Sequence, residues 1–104
     1  MPVTTLAGYQ IHVNEEGFLT DPAEWTEELA TELARQVGIT LTDEHWKALH
    51  FLRADFAEKG ETATLRRVST RGDIPVKRLF ALFPQKPAKK MAYVAGLPKP
   101  AGCV

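Results

Sequence analysis

The apolar residues of the chain recur with helical spacing over most of its length and alternate with polar ones only near the start. There, Tyr9, Ile11 and Val13 alternate with polar residues, and a second short apolar run follows Gly17. A period of two around a glycine-containing turn predicts a β-hairpin over residues 9–19. Because two strands alone are marginally stable in water, we expect this hairpin to pack on helices.

The first helix is predicted to begin at an acidic capping signal. Asp21 takes the N-cap position, Pro22 the first helical position, and Glu24 completes a capping box. The apolar positions then recur at helical spacing as far as a glycine: Trp25, Leu29, Leu33, Val37 and Gly38. Core packing is the interpretation we give to the tryptophan.

The second predicted helix has the widest apolar face and is expected to be the centre of the core. Thr42 is its N-cap, two acidic residues follow at the positive end of the helix dipole, and Gly60 ends it. Its apolar positions are Trp46, Leu49, Phe51, Leu52 and Phe56.

Three shorter helices are predicted after Gly60. The first is capped by Thr62 or Thr64 and is broken at Gly72 and Asp73. Its arginines are expected to point outward: Arg66, Arg67 and Arg71.

The second of these helices spans residues 76–83 after Pro75, which suits a first turn. Its inward side chains are predicted to be Val76, Leu79, Phe80 and Phe83. The third starts at Pro87 and ends at Gly96. The pattern therefore predicts a mainly α (α+β) fold, a small bundle of about five short helices with an N-terminal β-hairpin and a flexible C-terminal arm.

Length and composition favour one domain. A chain of 104 residues with 44% hydrophobic content forms one modest core, which we divide into a hairpin (9–19), a helical core (21–95) and a mobile arm (96–104). No apolar run approaches the roughly 18 residues of a membrane span, and the start lacks the pattern of a signal peptide. We expect a cytoplasmic protein that does not enter a membrane.

The charges are unevenly distributed, although the formal net charge is zero. Residues 1–58 contain eleven acidic and three basic residues, whereas residues 59–104 contain two acidic and ten basic ones. A basic face in the second half is one consequence, suited to an acidic protein surface or to nucleic acid. Mutual neutralisation of the halves across the fold is the alternative.

The final segment, AGLPKPAGCV, carries the only cysteine of the chain, Cys103. Pro98 and Pro100 fix φ and favour an extended path, and Gly96 and Gly102 bracket them as permissive joints. The steps from the first glycine to the cysteine span at most roughly 23–25 Å. The sequence thus predicts a sulfur atom at the end of a swinging arm.

A single cysteine excludes an internal disulfide and any metal site built from several cysteines. Cys103 is then inert, an intermolecular partner or a reactive thiol, and a free thiol of pKa about 8.5 needs nearby positive charge to react as the thiolate. Lys99 and Arg66 are the candidate cations, while the carboxylate of Val104 acts against ionisation. The alternative is an incidental cysteine at a frayed end.

Other chemistry is weakly supported. His45 and His50 lie about 140° apart around a helix, so we expect no metal pair, and no catalytic triad or cofactor site is located. Residues 62–83 also fit a helix-turn-helix of a DNA-binding regulator. The acidic first half opposes phosphate contacts, so direct nucleic-acid binding is not expected.

Several motifs together resemble the DsrC/TusE family of sulfur-carrier proteins over nearly the whole chain. They are EEGFL followed by Trp25, EHW continuing to Phe51 and Arg53, LFP at 82–84, PAK at 87–89, and the terminal AGLPKPAGCV. The resemblance implies a small helical fold with an N-terminal hairpin and a mobile C-terminal arm. In the stretch from 60 to 83 the chain is shorter than typical members and carries Thr70 at a family lysine, but it retains Arg66.

The resemblance implies a sulfurtransferase-type carrier without turnover of its own. Cys103 would accept sulfane sulfur as a persulfide, from a TusBCD- or DsrEFH-type complex. Members with a second cysteine carry it where this chain has Tyr93, which favours the TusE-like branch. The acceptor would be an MnmA-type tRNA thiolase that makes 2-thiouridine at the wobble position. The alternative is a DsrC-like partner or substrate of a sulfite-reductase-like enzyme in dissimilatory sulfur metabolism.

Overall fold

The computed structural model describes residues 3–6 and 8–100, with the side chains of Thr5 and of residues 8–100. Two strands, β1 (Val3–Leu6) and β2 (Tyr9–His12), precede a 3-10 helix at Pro22–Glu24. Five α-helices follow: α1 (Glu27–Gln36), α2 (Asp43–Lys59), α3 (Leu65–Gly72), α4 (Val76–Leu82) and α5 (Pro87–Val94). The predicted mainly α fold class is confirmed.

The sheet lies closer to the N-terminus than predicted. β2 pairs with β1 in an antiparallel register, and Gly8 lies in the turn between them. The hairpin predicted over residues 9–19 is reduced to one isolated bridge between Val13 and Leu19, although Gly17 does take a positive φ of +90° in its turn. The β-branched residues at the start of the chain are the sequence signal for β1.

The first helix begins later than predicted. Asp21 caps only the 3-10 helix, and Thr26 caps α1 by accepting a hydrogen bond from a backbone N–H at 3.0 Å. Glu24 closes no capping box with Asp21. Its carboxylate instead accepts hydrogen bonds from the backbone N–H and the ring Nδ1–H of His12, at 2.8 and 2.7 Å. The predicted capping box is wrong because His12 of β2 binds the Glu24 carboxylate.

α2 is the central helix, as predicted, and it contacts both α3 and α5. Thr42 and Gly60 bound it at the expected positions. The main core gathers buried side chains from all five helices, of which the largest include Leu49, Leu52, Val68, Leu79, Phe83 and Met91. A smaller core joins the sheet region to α1: Ile11, Val13, Leu19, Leu29 and Leu33. Each such side chain stabilises the fold by roughly 1.5–3 kcal/mol relative to exposure.

The caps of the shorter helices follow the sequence signals. Thr64 rather than Thr62 caps α3, accepting a hydrogen bond from the Arg67 N–H at 3.2 Å. Asp73 ends α3 in the left-handed region, at φ +57°. α5 begins at Pro87, as predicted.

The inward face of α4 differs from the prediction. Leu79 and Phe83 are buried as expected, but Val76 and Phe80 are 41% and 49% exposed. Leu82 takes the inward position instead. A helix as short as α4 buries one narrow stripe, and Phe80 lies about 100° from Leu79 around the helix axis.

Candidate functional site

The predicted reactive residue, Cys103, lies outside the described residues, as does Gly102. The structure describes the chain that leads to them as far as Pro100. We call residues 94–100 the arm base, because they connect the end of α5 to the segment that carries the thiol.

A Schellman motif at the end of α5 turns the chain into the arm base. The N–H of Gly96 donates to the carbonyl of Tyr93 at 3.3 Å, and the N–H of Leu97 donates to the carbonyl of Ala92 at 3.0 Å. Gly96 has φ +71°, and a Cβ at this position would lie 2.5 Å from Cδ1 of Trp25. Both the backbone conformation and the space therefore require glycine.

Trp25 and Arg53 hold the arm base against the body. The indole Nε1–H of Trp25 donates to the carbonyl of Val94 at 2.9 Å. Arg53 donates to the carbonyls of Ala95 and Pro22, each at 2.8 Å, and its guanidinium carbon lies 4.3 Å from the centroid of the Trp25 ring. Burial lowers the pKa of Arg53, which as an arginine stays charged at neutral pH.

The sequence did not reveal this anchor. The sequence pattern indicates core packing for Trp25, and that is only part of its role, since its indole N–H also fixes the end of α5. In the sequence, Arg53 stands out only as part of a family motif. A charged residue directly after the apolar pair Phe51 and Leu52 is the one signal in the sequence, and by itself it does not identify the carbonyls that Arg53 binds.

The arm base packs on the body after its glycine. Leu97 is 1% exposed within the main core. The hydroxyl of Thr62 donates to the carbonyl of Pro98 at 2.7 Å, and Pro100 is buried. Counted from Pro100, the steps to Cys103 span at most about 11 Å, less than half of the reach expected from the glycine.

The two predicted supporting cations have different surroundings. Nζ of Lys99 lies 3.5 Å from Oε2 of Glu16, an oxygen that also has Nζ of Lys89 at 3.5 Å. Arg66 lies beside a shallow cleft of about 220 Å³, lined by Thr64, Arg66, Arg67, Thr70 and Arg71. No described contact joins Lys99 to Arg66, so their joint action on the thiol stays a prediction.

Two other basic residues are engaged by carboxylates. Arg67, predicted to point outward, donates from Nη2 to Oδ2 of Asp55 at 2.6 Å, and the Asp55 side chain is only 9% exposed. Arg78 pairs with Glu44 at the surface, and the hydrogen bond raises the pKa of Arg78 and lowers that of Glu44. The basic face is therefore smaller than the sequence suggests.

Comparison with known proteins places this geometry in a family. A family profile described as "DsrC like protein" matches residues 5–104, a range that includes the arm base and Cys103. The chain belongs to the DsrC-like family. The resemblance drawn from the sequence motifs is confirmed.

Curated relatives of this DsrC-like chain are named for sulfur transfer. It is 37% identical over 106 residues to the sulfurtransferase TusE of Sodalis glossinidius (strain morsitans), covering 93% of this chain and 96% of that protein. It is 33% identical over 106 residues to the sulfurtransferase TusE of Escherichia coli (strain K12), covering 93% and 95%.

Solved structures of DsrC-like proteins share the fold. The crystal structure of dissimilatory sulfite reductase I (DsrI) matches with a TM-score of 0.87 and 33% identity, covering 99% of this chain and 100% of that one. The oxidized gamma-subunit of the dissimilatory sulfite reductase (DsrC) from Archaeoglobus fulgidus matches with a TM-score of 0.80 and 38% identity, covering 99% and 100%.

Tyr93 stands where DsrC-like members with two thiols are expected to carry the second cysteine. Its ring meets that of Phe18 edge-on, with the centroids 5.7 Å apart and the planes at 85°. Burial raises the pKa of the Tyr93 phenol. Tyr93 therefore contributes an aromatic contact to the N-terminal turn.

The histidines have structural partners. Nδ1 of His45 accepts a hydrogen bond from the N–H of Thr42 at 3.0 Å, and its Nε2–H donates to the carbonyl of Leu82 at 2.8 Å, which fixes one neutral tautomer.

Across residues 3–6 and 8–100, no three His, Cys, Asp or Glu side chains are grouped as a metal ion requires. Within the same ranges, no helix has the length and apolar character to cross a membrane.

Proposed function

We propose that this DsrC-like chain is a TusE-type sulfur-relay carrier, in which Cys103 accepts sulfane sulfur as a persulfide and passes it to an acceptor protein. The observation that carries the proposal is the arm base. Its path is fixed by Gly96, Trp25 and Arg53, and it leads into the terminal segment that holds the only thiol. The family match through residue 104 and the sulfurtransferase names of the relatives support it.

The proposed transfer is a displacement at sulfur without net oxidation or reduction. The thiolate of Cys103 attacks the terminal sulfur of the donor's persulfide, the donor's S–S bond breaks, and the donor cysteine leaves as a thiolate. The proton on the terminal sulfur stays with it, so Cys103 becomes a persulfide. The acceptor's thiolate discharges it by the same step, and each carrier molecule moves one sulfur per encounter.

We propose that Lys99 and Arg66 support the thiolate, and that Pro98, Pro100 and Gly102 shape the arm. Lys99 already pairs with Glu16, and the carboxylate of Val104 disfavours a neighbouring anion. Most of the activation of Cys103 is therefore assigned to positive charge in the partner's pocket.

The destination that we propose is 2-thiolation of the wobble uridine of tRNA. A TusBCD- or DsrEFH-type complex supplies the sulfur and an MnmA-type thiolase receives it. Tyr93 supports this branch, because a chain with one thiol cannot form an internal disulfide or trisulfide. We place the carrier in the cytoplasm, where thiols stay reduced.

A second candidate is a partner of a sulfite-reductase-like enzyme. The 38% identity to the gamma-subunit of the dissimilatory sulfite reductase favours it. Discharge of the loaded chain by a sulfite-reductase-like acceptor, and not by an MnmA-type thiolase, would select this function.

A DNA-binding regulator is not proposed. α3 and α4 are joined by the short turn 73–75, as a helix-turn-helix requires. Yet Arg67 and Arg78 are engaged by carboxylates, which leaves few cations for phosphate contacts.

Intact-mass spectrometry after incubation with a persulfide donor tests the carrier function. We expect a gain of one sulfur, about 32 Da, that reductant removes and that Cys103→Ser abolishes without a change in Tm. No gain with any donor would refute the carrier function. A large fall in the Tm of Cys103→Ser would instead contradict an accessible thiol.

A further inference from the structure

Thr62 is a buried polar residue whose hydroxyl binds the arm base. The residue is 8% exposed, and its hydroxyl donates to the carbonyl of Pro98 at 2.7 Å. Buried hydroxyls are normally hydrogen-bonded, and this bond satisfies the donor of Thr62. Three carbonyls of the arm base accept such bonds from side chains of the body, those of Val94, Ala95 and Pro98. Among the described residues, the bond from Thr62 is the one closest to Cys103 in sequence.

The chain is stiff beyond the Pro98 carbonyl. The rings of Pro98 and Pro100 fix φ, and Lys99, which precedes a proline, is restricted to an extended conformation. The orientation of the Pro98 carbonyl therefore sets the direction of the chain as far as Pro100, which is buried. We call residues 101–104 the terminal segment. Cys103 follows Pro98 by five residue steps, a span of at most about 16–18 Å.

Thr62 also leads into the cleft on α3. Two residues after it, Thr64 caps α3 and lines the cleft together with Arg66 and Arg71. The Cα atoms of Thr62 and Thr64 are therefore at most about 7 Å apart. The hydrogen bond from Thr62 thus starts the terminal segment beside a cleft that this segment is long enough to reach.

The cleft contains cations that no described carboxylate neutralises. In the part of the chain that the structure describes, no carboxylate oxygen lies within 4.0 Å of Arg66 or Arg71. Arg67, in the same cleft, is held by Asp55 and has an oxygen of Glu61 at 4.0 Å. Two guanidinium groups without a paired carboxylate favour an anion such as a thiolate.

Lys99, the cation closest to Cys103 in sequence, lies beside an acid. Its Nζ is 3.5 Å from Oε2 of Glu16, and Nζ of Lys89 is at the same distance from that oxygen. The Glu16 carboxylate opposes the ionisation of a nearby thiol. The stronger support for a thiolate is therefore expected at the cleft, from Arg66.

We propose that Thr62 is a positioning residue for sulfur transfer, whose hydrogen bond to Pro98 directs the terminal segment to the α3 cleft, where Arg66 stabilises the Cys103 thiolate. This inference rests on the proposed carrier function and deepens it. Thr62 acts through the path of the chain and has no part in the chemistry. Its effect is the share of the activation that the carrier supplies before it meets a partner.

Alkylation of Cys103 by iodoacetamide tests this positioning in the free carrier. The thiolate is the reacting form, so the rate at about pH 7 reports its ionised fraction, whereas at about pH 10 the thiol is almost entirely ionised in every variant. Thr62→Val keeps the shape of the side chain and removes the hydroxyl. We expect its alkylation to be about threefold slower at neutral pH and unchanged at the higher pH. Thr62→Ser keeps the hydroxyl and is expected to restore the wild-type rate.

A double variant shows whether Thr62 acts through Arg66. Arg66→Met alone is expected to slow alkylation at neutral pH by a similar factor of about three. Thr62→Val combined with Arg66→Met should be no slower than either single variant, because the second change removes an interaction that the first has already broken. Multiplied effects, about ninefold together, would mean that the two residues act independently and would overturn the inference.

Thr42→Val is the matched control. The hydroxyl of Thr42 lies 2.8 Å from Nδ1 of His45 at the start of α2, and no described contact joins it to the arm base. We expect wild-type alkylation rates from this variant at both pH values. A loss at neutral pH equal to that of Thr62→Val would contradict the assignment to Thr62.

Equal alkylation of Thr62→Val and wild type at neutral pH would refute the positioning. A loss of the same size at both pH values would refute it as well, because a missing cation affects only the ionised fraction. If Thr62→Val does not fold, Arg66→Met decides: a wild-type rate at neutral pH overturns the inference. Wild-type protein that takes up no sulfur from any persulfide donor contradicts the carrier function itself, while the alkylation rates still decide the positioning.

Discussion

The arm base and the cleft on α3 are both organised around an arginine, and they differ in what surrounds it. Arg53 has two backbone carbonyls at 2.8 Å and an indole ring against its guanidinium group. Arg66 is exposed beside an open cleft, with no ion-pair partner among the described residues. An arginine whose N–H groups bind backbone carbonyls fixes the path of the chain. An arginine whose N–H groups are exposed stays available to a partner. The arginine with committed donors lies where the thiol-bearing segment begins.

The largest expected disruption of the arm base is Gly96→Ala. The left-handed φ disfavours alanine, and the added Cβ overlaps Trp25. We expect the free energy of unfolding to fall by about 3 kcal/mol, measured by urea denaturation.

Gly38→Ala is the control for Gly96→Ala. Gly38 ends α1 in the same motif at φ +76°, with no atom within 4 Å of a Cβ. Only the backbone penalty of about 1–2 kcal/mol applies there. Equal losses in the two variants would show that Trp25 moves aside and that the arm base is not tightly held.

The comparison between the two arginines is tested directly by Arg53→Met and Arg66→Met. The first leaves the carbonyls of Pro22 and Ala95 without their charged donor, and we expect a loss of about 2 kcal/mol in urea denaturation. The second removes an exposed side chain and should stay within about 0.5 kcal/mol of wild type. Similar losses would remove the distinction between the two regions.

The smallest expected effect is on the fall of Tm at acid pH. The hydrogen bond from the backbone N–H of His12, followed by that from its ring, holds the pKa of Glu24 below its usual value. Because the folded pKa is below the unfolded one, this contribution is present above the unfolded pKa and is lost as pH falls through the folded pKa. Glu24→Gln should therefore flatten the fall of Tm between about pH 6 and pH 3.

This pH effect arises next to the arm base, because Glu24 lies in the 3-10 helix whose Pro22 carbonyl accepts a hydrogen bond from Arg53. Glu15→Gln removes the same charge from an exposed turn and controls for net charge. An acid profile of Glu24→Gln identical to that of wild type would mean that the Glu24 contact contributes nothing to folding.

Features set by local chemistry were predictable from the sequence. The caps of α2 and α5 and the glycine after α5 require only residues that lie next to each other, so Thr42, Pro87 and Gly96 identified them. The terminal motif placed the only thiol on the family's arm in the same way. Cys103 itself lies beyond the described residues, and its role stays a prediction.

Features that depend on distant partners were not predictable. By sequence Glu24 fits a capping box, but in the structure its carboxylate binds His12. By sequence Phe80 fits the apolar stripe of α4, but in the structure Leu82 takes the inward position. The packing of the arm base also depends on Trp25 and Arg53, which are distant from it in the sequence. Periodicity and capping rules contain no information about such pairs.

The carboxylate of Glu16 joins two lysines that belong to different parts of the molecule. Lys89 lies in α5 and Lys99 in the arm base, and both approach the same oxygen at 3.5 Å. If an acidic group on a partner draws Lys99 away, Lys89 still neutralises Glu16. Lys99 can thus exchange Glu16 for an anion on a partner, and the Glu16 carboxylate keeps a cation beside it in either state.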